Sequence, residues 1–491
     1  MTIFQSLESH AADRVAVRVG ALDISYGRLL ADIGAAAGTF ADQSIGEHSK
    51  VGIRAGTLFT GNSYANWVAH LATIRLGAAH VSLVEAATIG AAVKSGMIDM
   101  VIGPKAGFDD IPTSVRRVAF DCNPHRPLAH RDPPPDRSAA ATRINLTSGT
   151  TGTPKFLTWD MAMIEARVAQ VGDGLPIGPD TILYPLLHMR TTAGFRYPLA
   201  VWTAGGCVLL PDNPDPVTRD RVGLSESTLI ATSPVQLGER VREYPDPWEG
   251  REGRTIILLG GRLPLAVRNA AFPNACTNLQ ISYGATETGS IALGPGDVID
   301  RHVGAVGFLR NGVTVEIVDS ALAPVPVGEP GIIRIKTNMM SQGYDGLAPD
   351  KDTGHFEAGY FYPGDIGRLF DDGLLAIEGR YNDTFNVGGW KVNAIDLEAK
   401  LAFMPGVDDL VACVMPLAEG DLLTIAVVTR DNVDLRPIAA HIQTKLPKGR
   451  TFHLVRLQSI PRNAMGKVPR AMIANRLTEL YGASRKNLSN A

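Results

Sequence analysis

The segment TSGTTGTPK, residues 147–155, combines hydroxyl side chains with two glycines and a terminal lysine. Glycines let backbone N–H groups converge on an anion, hydroxyls add donors and a lysine supplies charge, so the segment favours a phosphate-binding loop. It is not a Walker A loop, because Gly149 and Gly152 are too close together and Phe156, not a hydroxyl residue, follows Lys155. A polar surface turn rich in threonine and glycine is the alternative interpretation.

The sequence around this segment predicts an α/β fold. INL before the loop and FLTW after it are typical of short strands, and the first 120 residues or so alternate helical and strand patterns. Alternation of this kind predicts a mostly parallel sheet. Residues 123–141 are rich in proline, arginine and alanine and predict an exposed connector.

The character of the sequence changes twice further along the chain. TLIATSP and TIILLGG continue the α/β pattern. From about residue 303 to 380, short strands at regular spacing with Gly, Pro and Asp turns predict a β-rich subdomain. The tail from about residue 383 returns to a mixed α/β pattern. We found neither an internal repeat nor a low-complexity tract.

Bulk composition limits the possible partners. A chain of 491 residues is too long for one compact core, so two or more domains are expected. Apolar residues make up 45% and charged residues 20%, which are ordinary globular values. The formal net charge of −3 offers no basic footprint for nucleic acid and no polybasic membrane anchor.

The sequence shows no targeting or membrane-spanning pattern. Glu8 and Asp13 interrupt the N-terminal stretch, which therefore does not resemble a secretory signal. No run of about 18 apolar residues occurs, so no membrane span is predicted. The four cysteines lie far apart without metal-binding spacing and are interpreted as buried, reduced thiols of a cytosolic protein.

Two further clusters carry polar chemistry at the ends of predicted strands. YGATETG, residues 283–289, presents an aromatic ring that could stack on a nucleobase, a threonine for phosphate and a carboxylate for Mg²⁺. Alone, this pattern is more often a loop with a helix N-cap. YPGD, residues 362–365, offers Asp365, whose carboxylate could accept both hydroxyls of a ribose. A solvated turn aspartate is the alternative.

The last two clusters lie in the tail. GRYNDTFNVGGWKVN, residues 379–393, places a basic residue and a polar link before paired glycines, and by itself predicts a linker followed by a hairpin. PRNAMGKVPR, residues 461–470, presents Lys467 in a polar loop. Taken alone, that lysine is an ordinary surface residue.

The order and separation of these five clusters resemble the adenylate-forming superfamily, which contains acyl-CoA synthetases, the adenylation domains of peptide synthetases and the luciferases. The resemblance covers essentially the whole chain, including NSYANWVAHLATIRLGAAHVSL and GEPGIIRIKTNMMSQGY. It implies activation of a carboxylate by attack on the α-phosphate of ATP, which gives an acyl-adenylate and pyrophosphate. The acyl group then passes to a thiol.

The resemblance also implies roles for individual residues. Lys467 would bridge the α-phosphate and the substrate carboxylate, Glu287 would bind Mg²⁺ and Thr286 would touch the α-phosphate. Asp365 and Arg380 would hold the ribose. The loop would hold the β- and γ-phosphates, and Tyr283 would lie beside adenine. The loop residues in contact with the nucleotide would be Thr147, Ser148, Gly149, Thr150, Thr151, Gly152 and Lys155. Gly260, Gly261 and Gly284 would also border the nucleotide.

The implied architecture has two domains. A large N-terminal domain, residues 1–381, contains α/β sheets and the β-rich subdomain, and a small mobile α+β domain, residues 382–491, carries Lys467. The hinge departs from the family pattern, since Asn382 stands where Asp or Lys is usual. Phe156 also replaces a usual glycine, and YPGD replaces the more common Arg-Thr-Gly-Asp form.

The acyl substrate is predicted not to be an α-amino acid. Residues 181–211 contain no acidic side chain, and a buried ammonium without a counter-charge is strongly disfavoured. LLHM resembles the stretch of acyl- and aryl-CoA synthetases that places a histidine beside the acyl group, which makes His188 a candidate catalytic residue; a structural histidine is the alternative. Arg190 and Arg196 could serve a polar substrate, although solvated arginines are equally expected.

Three functions follow from the resemblance. The leading hypothesis is a stand-alone acyl-CoA synthetase, in which Gly388 and Gly389 let the pantetheine arm of coenzyme A pass close to the backbone. The second is an enzyme that loads a discrete carrier protein, since no carrier domain follows NAMGK in this sequence. The third is a catalytically silent homologue, against which the complete set of Thr286, Glu287, Asp365 and Lys467 argues. Neither a monomer nor a homodimer is favoured by the sequence.

Overall fold

A computed structural model describes most of the chain. The described residues are 2–54, 64–84, 86–109, 111–147, 155–210, 215–244, 246, 248–302, 304–345, 355–380, 384–387, 390–401, 404–417, 420–429, 433–447, 449–461, 468 and 470–489.

The strands, in chain order, are β1 Val15–Val19, β2 Leu22–Ser25, β3 Lys50–Arg54, β4 Ala79–Leu83, β5 Met100–Gly103, β6 Arg116–Ala119, β7 Thr142–Thr147, β8 Lys155–Asp160, β9 Ile182–Pro185, β10 Cys207–Leu209, β11 Leu229–Thr232, β12 Thr255–Leu259, β13 Asn278–Ala285, β14 Gly289–Pro295, β15 Ala305–Leu309, β16 Val313–Val318, β17 Gly331–Thr337, β18 Phe356–Glu357, β19 Tyr360–Phe361, β20 Asp365–Leu369, β21 Leu374–Arg380, β22 Thr384–Val387, β23 Trp390–Asn393, β24 Val407–Leu417, β25 Gly420–Thr429 and β26 His453–Arg456.

The α-helices, in the same order, are α1 Ile3–Glu8, α2 Tyr26–Asp42, α3 Tyr64–Arg75, α4 Ala86–Lys94, α5 Met161–Gly172, α6 Thr192–Thr203, α7 Pro216–Glu226, α8 Pro234–Glu243, α9 Leu265–Asn274, α10 Val298–Arg301, α11 Ala394–Leu401, α12 Leu435–Lys445 and α13 Arg470–Ser489. None of these helices is long and apolar enough to cross a membrane.

Two large sheets form the N-terminal part of the molecule. The smaller has the order β6-β5-β3-β4-β7-β8 and is parallel except for the β7–β8 pair. The larger contains the parallel series β13-β12-β11-β9-β10-β1. Its parallel strands are continuous apolar runs, as in β12, because helices cover both faces of such a sheet.

The predicted β-rich subdomain is present. From β13 onward the larger sheet continues through antiparallel pairs that join β14, β15, β21, β20 and β17. The C-terminal part contains the β22–β23 hairpin and the three-stranded sheet β24-β25-β26. The predicted α/β fold class is therefore confirmed. The boundary between residues 381 and 382 lies outside the described residues and stays a prediction.

Two helices that border the site are fixed by side-chain caps. The carboxylate of Asp160 accepts a hydrogen bond from the backbone N–H of Met163 (2.7 Å) at the start of α5. The hydroxyl of Thr191 does the same for the N–H of Gly194 (3.0 Å) at the start of α6. Each cap satisfies a backbone donor that the first helical turn leaves unbonded.

Phe156, which stands where the family usually has glycine, contributes to core packing. Its side chain is buried among apolar residues of the smaller sheet and of α4. Its carbonyl accepts a hydrogen bond from the N–H of Asp345 (2.8 Å), which fixes the segment before residue 346 against β8. The departure from glycine thus adds core packing next to the loop. The four cysteines are buried free thiols, as predicted.

Candidate active site

The ends of two neighbouring parallel strands form one wall of the site. Leu259 of β12 pairs with Ser282 of β13, so Gly260 and Tyr283 follow side by side at the carboxyl edge of the sheet. Gly260 has a φ of +84°, a left-handed conformation that favours glycine. Ligands of open α/β sheets bind at this edge. The predicted nucleotide residues Gly260, Gly261 and Tyr283 therefore lie together.

Tyr283, Asp365 and Arg380 meet across three strands. The hydroxyl of Tyr283 donates to Oδ2 of Asp365 (2.6 Å), and Nε of Arg380 lies 3.3 Å from Oδ1 of the same carboxylate. Burial, followed by the negative charge of Asp365, raises the pKa of Tyr283 well above its ordinary value. Asp365 is only 6% exposed, so the solvated turn aspartate is the wrong interpretation. The residues predicted to hold adenine and ribose form a single cluster.

The YGATETG cluster is a β-hairpin, not a helix N-cap. β13 continues through Ala285, which pairs with Gly289 of β14, and residues 286–288 form the turn. Gly289, directly after the turn, has a φ of +77°, a left-handed conformation that favours glycine. A Cβ on Gly284 would lie 2.0 Å from the carbonyl oxygen of Gly289. Gly284 thus shapes the hairpin that presents Thr286 and Glu287.

Glu287 and Lys155 both contact the side chain of Tyr344. The hydroxyl of Tyr344 donates to Oε1 of Glu287 (2.7 Å), and Nζ of Lys155 lies 4.3 Å from the centroid of the Tyr344 ring. Glu287 is 8% exposed. The carboxylate predicted to bind metal and the lysine predicted to bind phosphate are thereby held in one place.

A buried arginine, Arg167, holds the turn that carries Glu287 through hydrogen bonds to backbone carbonyls. Nη1 of Arg167 donates to the carbonyl of Thr286 (2.7 Å), and Nη2 donates to the carbonyls of Glu287 (3.1 Å) and Met339. The guanidinium also stacks on the ring of Trp159, 3.9 Å from its centroid. Burial lowers the pKa of Arg167 to about 9, so it stays charged at neutral pH.

His188 lies in the loop between β9 and α6 in its neutral form. Its Nδ1 accepts a hydrogen bond from the backbone N–H of Arg190 (3.0 Å), which leaves the proton on Nε2 as a donor. Burial and the positive charges of Arg190 and Arg143 lower the pKa of His188 to about 4. A neutral N–H donor is suited to a carboxylate or acyl oxygen, and the catalytic role predicted for His188 stays a prediction.

The loop that contains His188 packs closely against the backbone of Gly194 in α6. A Cβ at this position would lie 2.1 Å from the carbonyl oxygen of His188. That carbonyl also accepts from the N–H (2.9 Å) and hydroxyl (2.8 Å) of Thr191. The first turn of α6 and the His188 loop therefore form one rigid unit.

The donor set fits magnesium. Among the described residues there is no cluster of three His, Cys, Asp or Glu side chains that would enclose a metal by itself. Mg²⁺ is usually held by one or two carboxylates together with substrate phosphates and water. Glu287 uses Oε1 toward Tyr344, and a carboxylate has further acceptor positions.

Several predicted residues lie outside the described part of the chain. Residues 148–154 are among them, as are the hinge position Asn382, the paired glycines Gly388 and Gly389, and Lys467. The backbone of Thr147 pairs with Lys155, while its side chain is not described. The roles assigned to these residues stay predictions.

Three site-forming residues were missed at the level of sequence. Tyr344 ends the segment GEPGIIRIKTNMMSQGY, and the resemblance of that segment to the family pattern was the available signal. Arg167 and Arg143 had none, because each lies in an ordinary helix or strand and its contacts come from distant segments. Arg196, considered as a solvated arginine, is 5% exposed, so that interpretation was wrong.

The family follows from sequence comparison. A model of the AMP-binding enzyme family matches residues 3–345. The chain is 28% identical over 406 residues to a 2-hydroxy-7-methoxy-5-methyl-1-naphthoate–CoA ligase of Streptomyces carzinostaticus, an alignment that covers 76% of this chain and 70% of that enzyme. It is 26% identical over 359 residues to a 3-hydroxybenzoate–CoA ligase of Aromatoleum sp. (strain CIB), covering 69% of this chain and 66% of the relative. The chain belongs to the AMP-binding enzyme family, and the predicted resemblance is confirmed.

The fold agrees with solved structures. The ATP-bound MatB from Rhodopseudomonas palustris superimposes with a TM-score of 0.83 at 23% identity, covering 98% of this chain and 99% of that protein.

Proposed function

We propose that this protein is an AMP-forming acid–CoA ligase. It activates a carboxylic acid with ATP to an acyl-adenylate and transfers the acyl group to the thiol of coenzyme A. In the first step a carboxylate oxygen attacks the α-phosphorus of ATP and pyrophosphate leaves. In the second, the thiol sulfur attacks the acyl carbon, AMP leaves and the thiol proton is released.

One observation carries the proposal. Glu287 and Lys155 come together at Tyr344, beside the Tyr283–Asp365–Arg380 cluster. A site for nucleoside thus adjoins groups suited to metal and phosphate, which is the arrangement that ATP requires. The CoA ligases among the relatives support coenzyme A as the acceptor.

Charge explains the need for these groups. Attack of a carboxylate on a phosphate brings like charges together, which is slow in water. Glu287 would hold Mg²⁺, which would supply positive charge to neutralise the phosphates. Lys155 supplies a fixed positive charge, and Asp365 with Arg380 orients the ribose, so the α-phosphate faces the acid. Lys467, on the predicted mobile domain, serves the first step and leaves before the second.

The acid is not an α-amino acid. The loop and helix from residue 181 to 211 contain no carboxylate for an ammonium, and His188 in this stretch is a neutral donor. A neutral N–H on Nε2 contributes to holding the reacting carboxylate without neutralising it. The free buried thiols suit a reducing compartment, and we propose a cytoplasmic location.

Product analysis tests the proposal. The protein is incubated with ATP, Mg²⁺, coenzyme A and a panel of aliphatic and aromatic acids, and mass spectrometry detects the thioester. We expect acyl-CoA with AMP and pyrophosphate. ADP as the nucleotide product would contradict the proposal, and thioester formation on an isolated carrier protein but not on coenzyme A would favour carrier loading.

A further inference from the structure

A polar patch lies on one buried face of the smaller sheet. His80 of β4 and Arg143 of β7 are direct partners in the parallel register, so their side chains point to the same side of the sheet. Ser82 and Asn145, two residues further along each strand, share that face because side chains alternate along a strand. All four residues are at most 4% exposed. Strands of a covered parallel sheet are normally apolar, so this patch requires an explanation.

The imidazoles of the patch bond to one another as neutral groups. Nδ1 of His70, on α3, and Nδ1 of His80 share a hydrogen bond (2.8 Å), and Nε2 of His70 is bonded to the hydroxyl of Ser82 (2.9 Å). Burial lowers the pKa of both rings well below the ordinary value near 6.5. Burial also lowers the pKa of Arg143, but only to about 9, so the guanidinium carries the positive charge of the patch at neutral pH.

The guanidinium of Arg143 holds the loop that contains His188. Its Nη2 donates to the carbonyl of Met189 (2.7 Å), the residue directly after His188. Its Nε donates to Oδ1 of Asn145 (3.1 Å), which fixes the direction of the side chain on β7. The guanidinium thus reaches the His188 loop from the strand that leads into the predicted phosphate-binding loop.

The same guanidinium contacts the helix that follows the His188 loop. Its central carbon lies 3.7 Å from the centroid of the ring of Phe195, which belongs to the first turn of α6. Phe195 directly follows Gly194, whose backbone packs against the carbonyl of His188. One side chain therefore holds the segment at two places, the carbonyl of Met189 and the ring of Phe195.

A second buried arginine offers a comparison within the chain. Arg254 is fully buried, and its nitrogens also donate to backbone carbonyls. These carbonyls belong to Ser227, Ala275, Leu224 and Glu249. None of these four residues is among the predicted site residues, so Arg254 holds the fold at a distance from the chemistry in sequence and role.

We propose that Arg143 is a positioning residue for His188 in the activation of the acid. The proposal rests on the acid–CoA ligase function and on the role predicted for His188, and it adds a residue to that site. By holding the backbone at Met189 and the first turn of α6, Arg143 fixes the direction in which Nε2 of His188 donates to the carboxylate. Since β7 continues into the predicted phosphate-binding loop, one strand relates this donor to the phosphates, and small errors in such geometry are costly to rate.

A double-mutant cycle tests the proposal. Acid-dependent ATP–pyrophosphate exchange, with the acid of the panel that the wild type activates fastest, gives kcat/KM for the acid and the KM for ATP. We expect Arg143→Gln to lower kcat/KM for the acid roughly 10- to 100-fold, because the donor is misplaced, and to leave the KM for ATP unchanged. In a His188→Ala background the same substitution should have at most about a threefold effect, because the group through which Arg143 acts is gone.

The conservative variant Arg143→Lys keeps the charge but loses the planar fork that joins Asn145 to Met189. We expect an intermediate loss that also disappears in the His188→Ala background. Thermal unfolding of every variant identifies an assay temperature at which all are folded. If Arg143→Gln does not fold, Arg143→Lys takes its place in the cycle.

Arg254→Gln is the matched control. It removes a buried guanidinium of the same kind, so we expect a lower melting temperature because backbone carbonyls lose their donors. Any effect on exchange should be the same fold-change in the wild-type and His188→Ala backgrounds, since the two residues share no partner.

Three outcomes would overturn the proposal while leaving the ligase function intact. Equal fold losses for Arg143→Gln in both backgrounds would make Arg143 a structural residue, as would a KM for ATP that rises in parallel with the loss on the acid. Unchanged exchange in His188→Ala would contradict the role of His188 and, with it, that of Arg143. Absence of exchange by the wild type with every acid of the panel would instead contradict the ligase function itself.

Discussion

At the scale of single residues, the site depends on side chains that touch other side chains, not substrate. Tyr344 is the clearest case, because its hydroxyl orients Glu287 while its ring supports the ammonium of Lys155. Groups that orient a metal-binding carboxylate set its affinity for the ion. Because Glu287 is proposed to bind Mg²⁺, we propose Tyr344 as the residue that positions it.

Tyr344→Phe keeps the ring and removes the hydroxyl. We expect the Mg²⁺ concentration for half-maximal pyrophosphate exchange to rise roughly 10- to 100-fold, with activity recovered at high Mg²⁺. The control is Tyr360→Phe, which removes a similar tyrosine–glutamate bond, to Glu316 (2.7 Å), in the β16–β17 region. An unchanged Mg²⁺ dependence in Tyr344→Phe would refute the positioning role.

The lowered pKa of His188 leads to a prediction about the pH dependence of stability and activity. Its pKa of about 4 in the folded protein lies below the ordinary value near 6.5, so the unfolded chain binds its proton first as pH falls. Stability from this residue is lost between about pH 6.5 and 4 and is complete above that window. Since the folded imidazole stays neutral there, exchange activity should show no His188-dependent transition near pH 6.5. A transition present in the wild type and absent in His188→Gln would contradict this.

At the scale of elements, the β13–β14 hairpin depends on close backbone approach. The side chain that Gly284 lacks would overlap the carbonyl of Gly289. The strand register shifts between Tyr283 and Gly284, an irregularity of the kind that bends a strand locally. The hairpin therefore sets the positions of both Tyr283 and Glu287.

Gly284→Ala should destabilise the protein by about 2 kcal/mol and raise the KM for ATP, because backbone must move to admit the methyl group. Gly90→Ala in α4 is the matched control: its methyl group would meet nothing within 4 Å, so it should be neutral or slightly stabilising. Thermal unfolding and ATP kinetics on both variants check this. Equal melting temperatures for the two variants would show that the hairpin tolerates a side chain.

At the scale of the whole molecule, most of the architecture could be predicted from sequence. The alternating α/β pattern and the later β-rich region are local signals, and the order of the five clusters defines the family. The hairpin at residues 283–289 was harder, because Gly and Thr are equally common before a helix. Arg167, Tyr344 and the burial of Arg196 depend on contacts between segments far apart in sequence, for which a single sequence contains no signal.

The C-terminal region has its own apolar cluster, built from β23–β25, α11 and α12. It also contacts the rest of the chain, for example through Nη1 of Arg242, which donates to the carbonyl of Asp408 (3.0 Å). A separate core is compatible with the predicted mobile domain that carries Lys467.

Lys467→Ala tests that prediction. We expect adenylate formation to fall by at least about 100-fold, because the cation at the α-phosphate is lost, while thioester formation from pre-made acyl-adenylate is largely preserved. Single-turnover assays of the two half-reactions check this. Parallel loss in both would count against a role confined to the first step.

Adenylate formation is tested most directly by acid-dependent exchange of labelled pyrophosphate into ATP in the absence of coenzyme A. Formation of an acyl-adenylate makes the first step reversible on its own, so we expect exchange that requires the acid and Mg²⁺ but no thiol. If acyl-CoA forms but exchange occurs only when coenzyme A is present, or never occurs, no free-standing adenylation step exists and the proposed two-step reaction is contradicted.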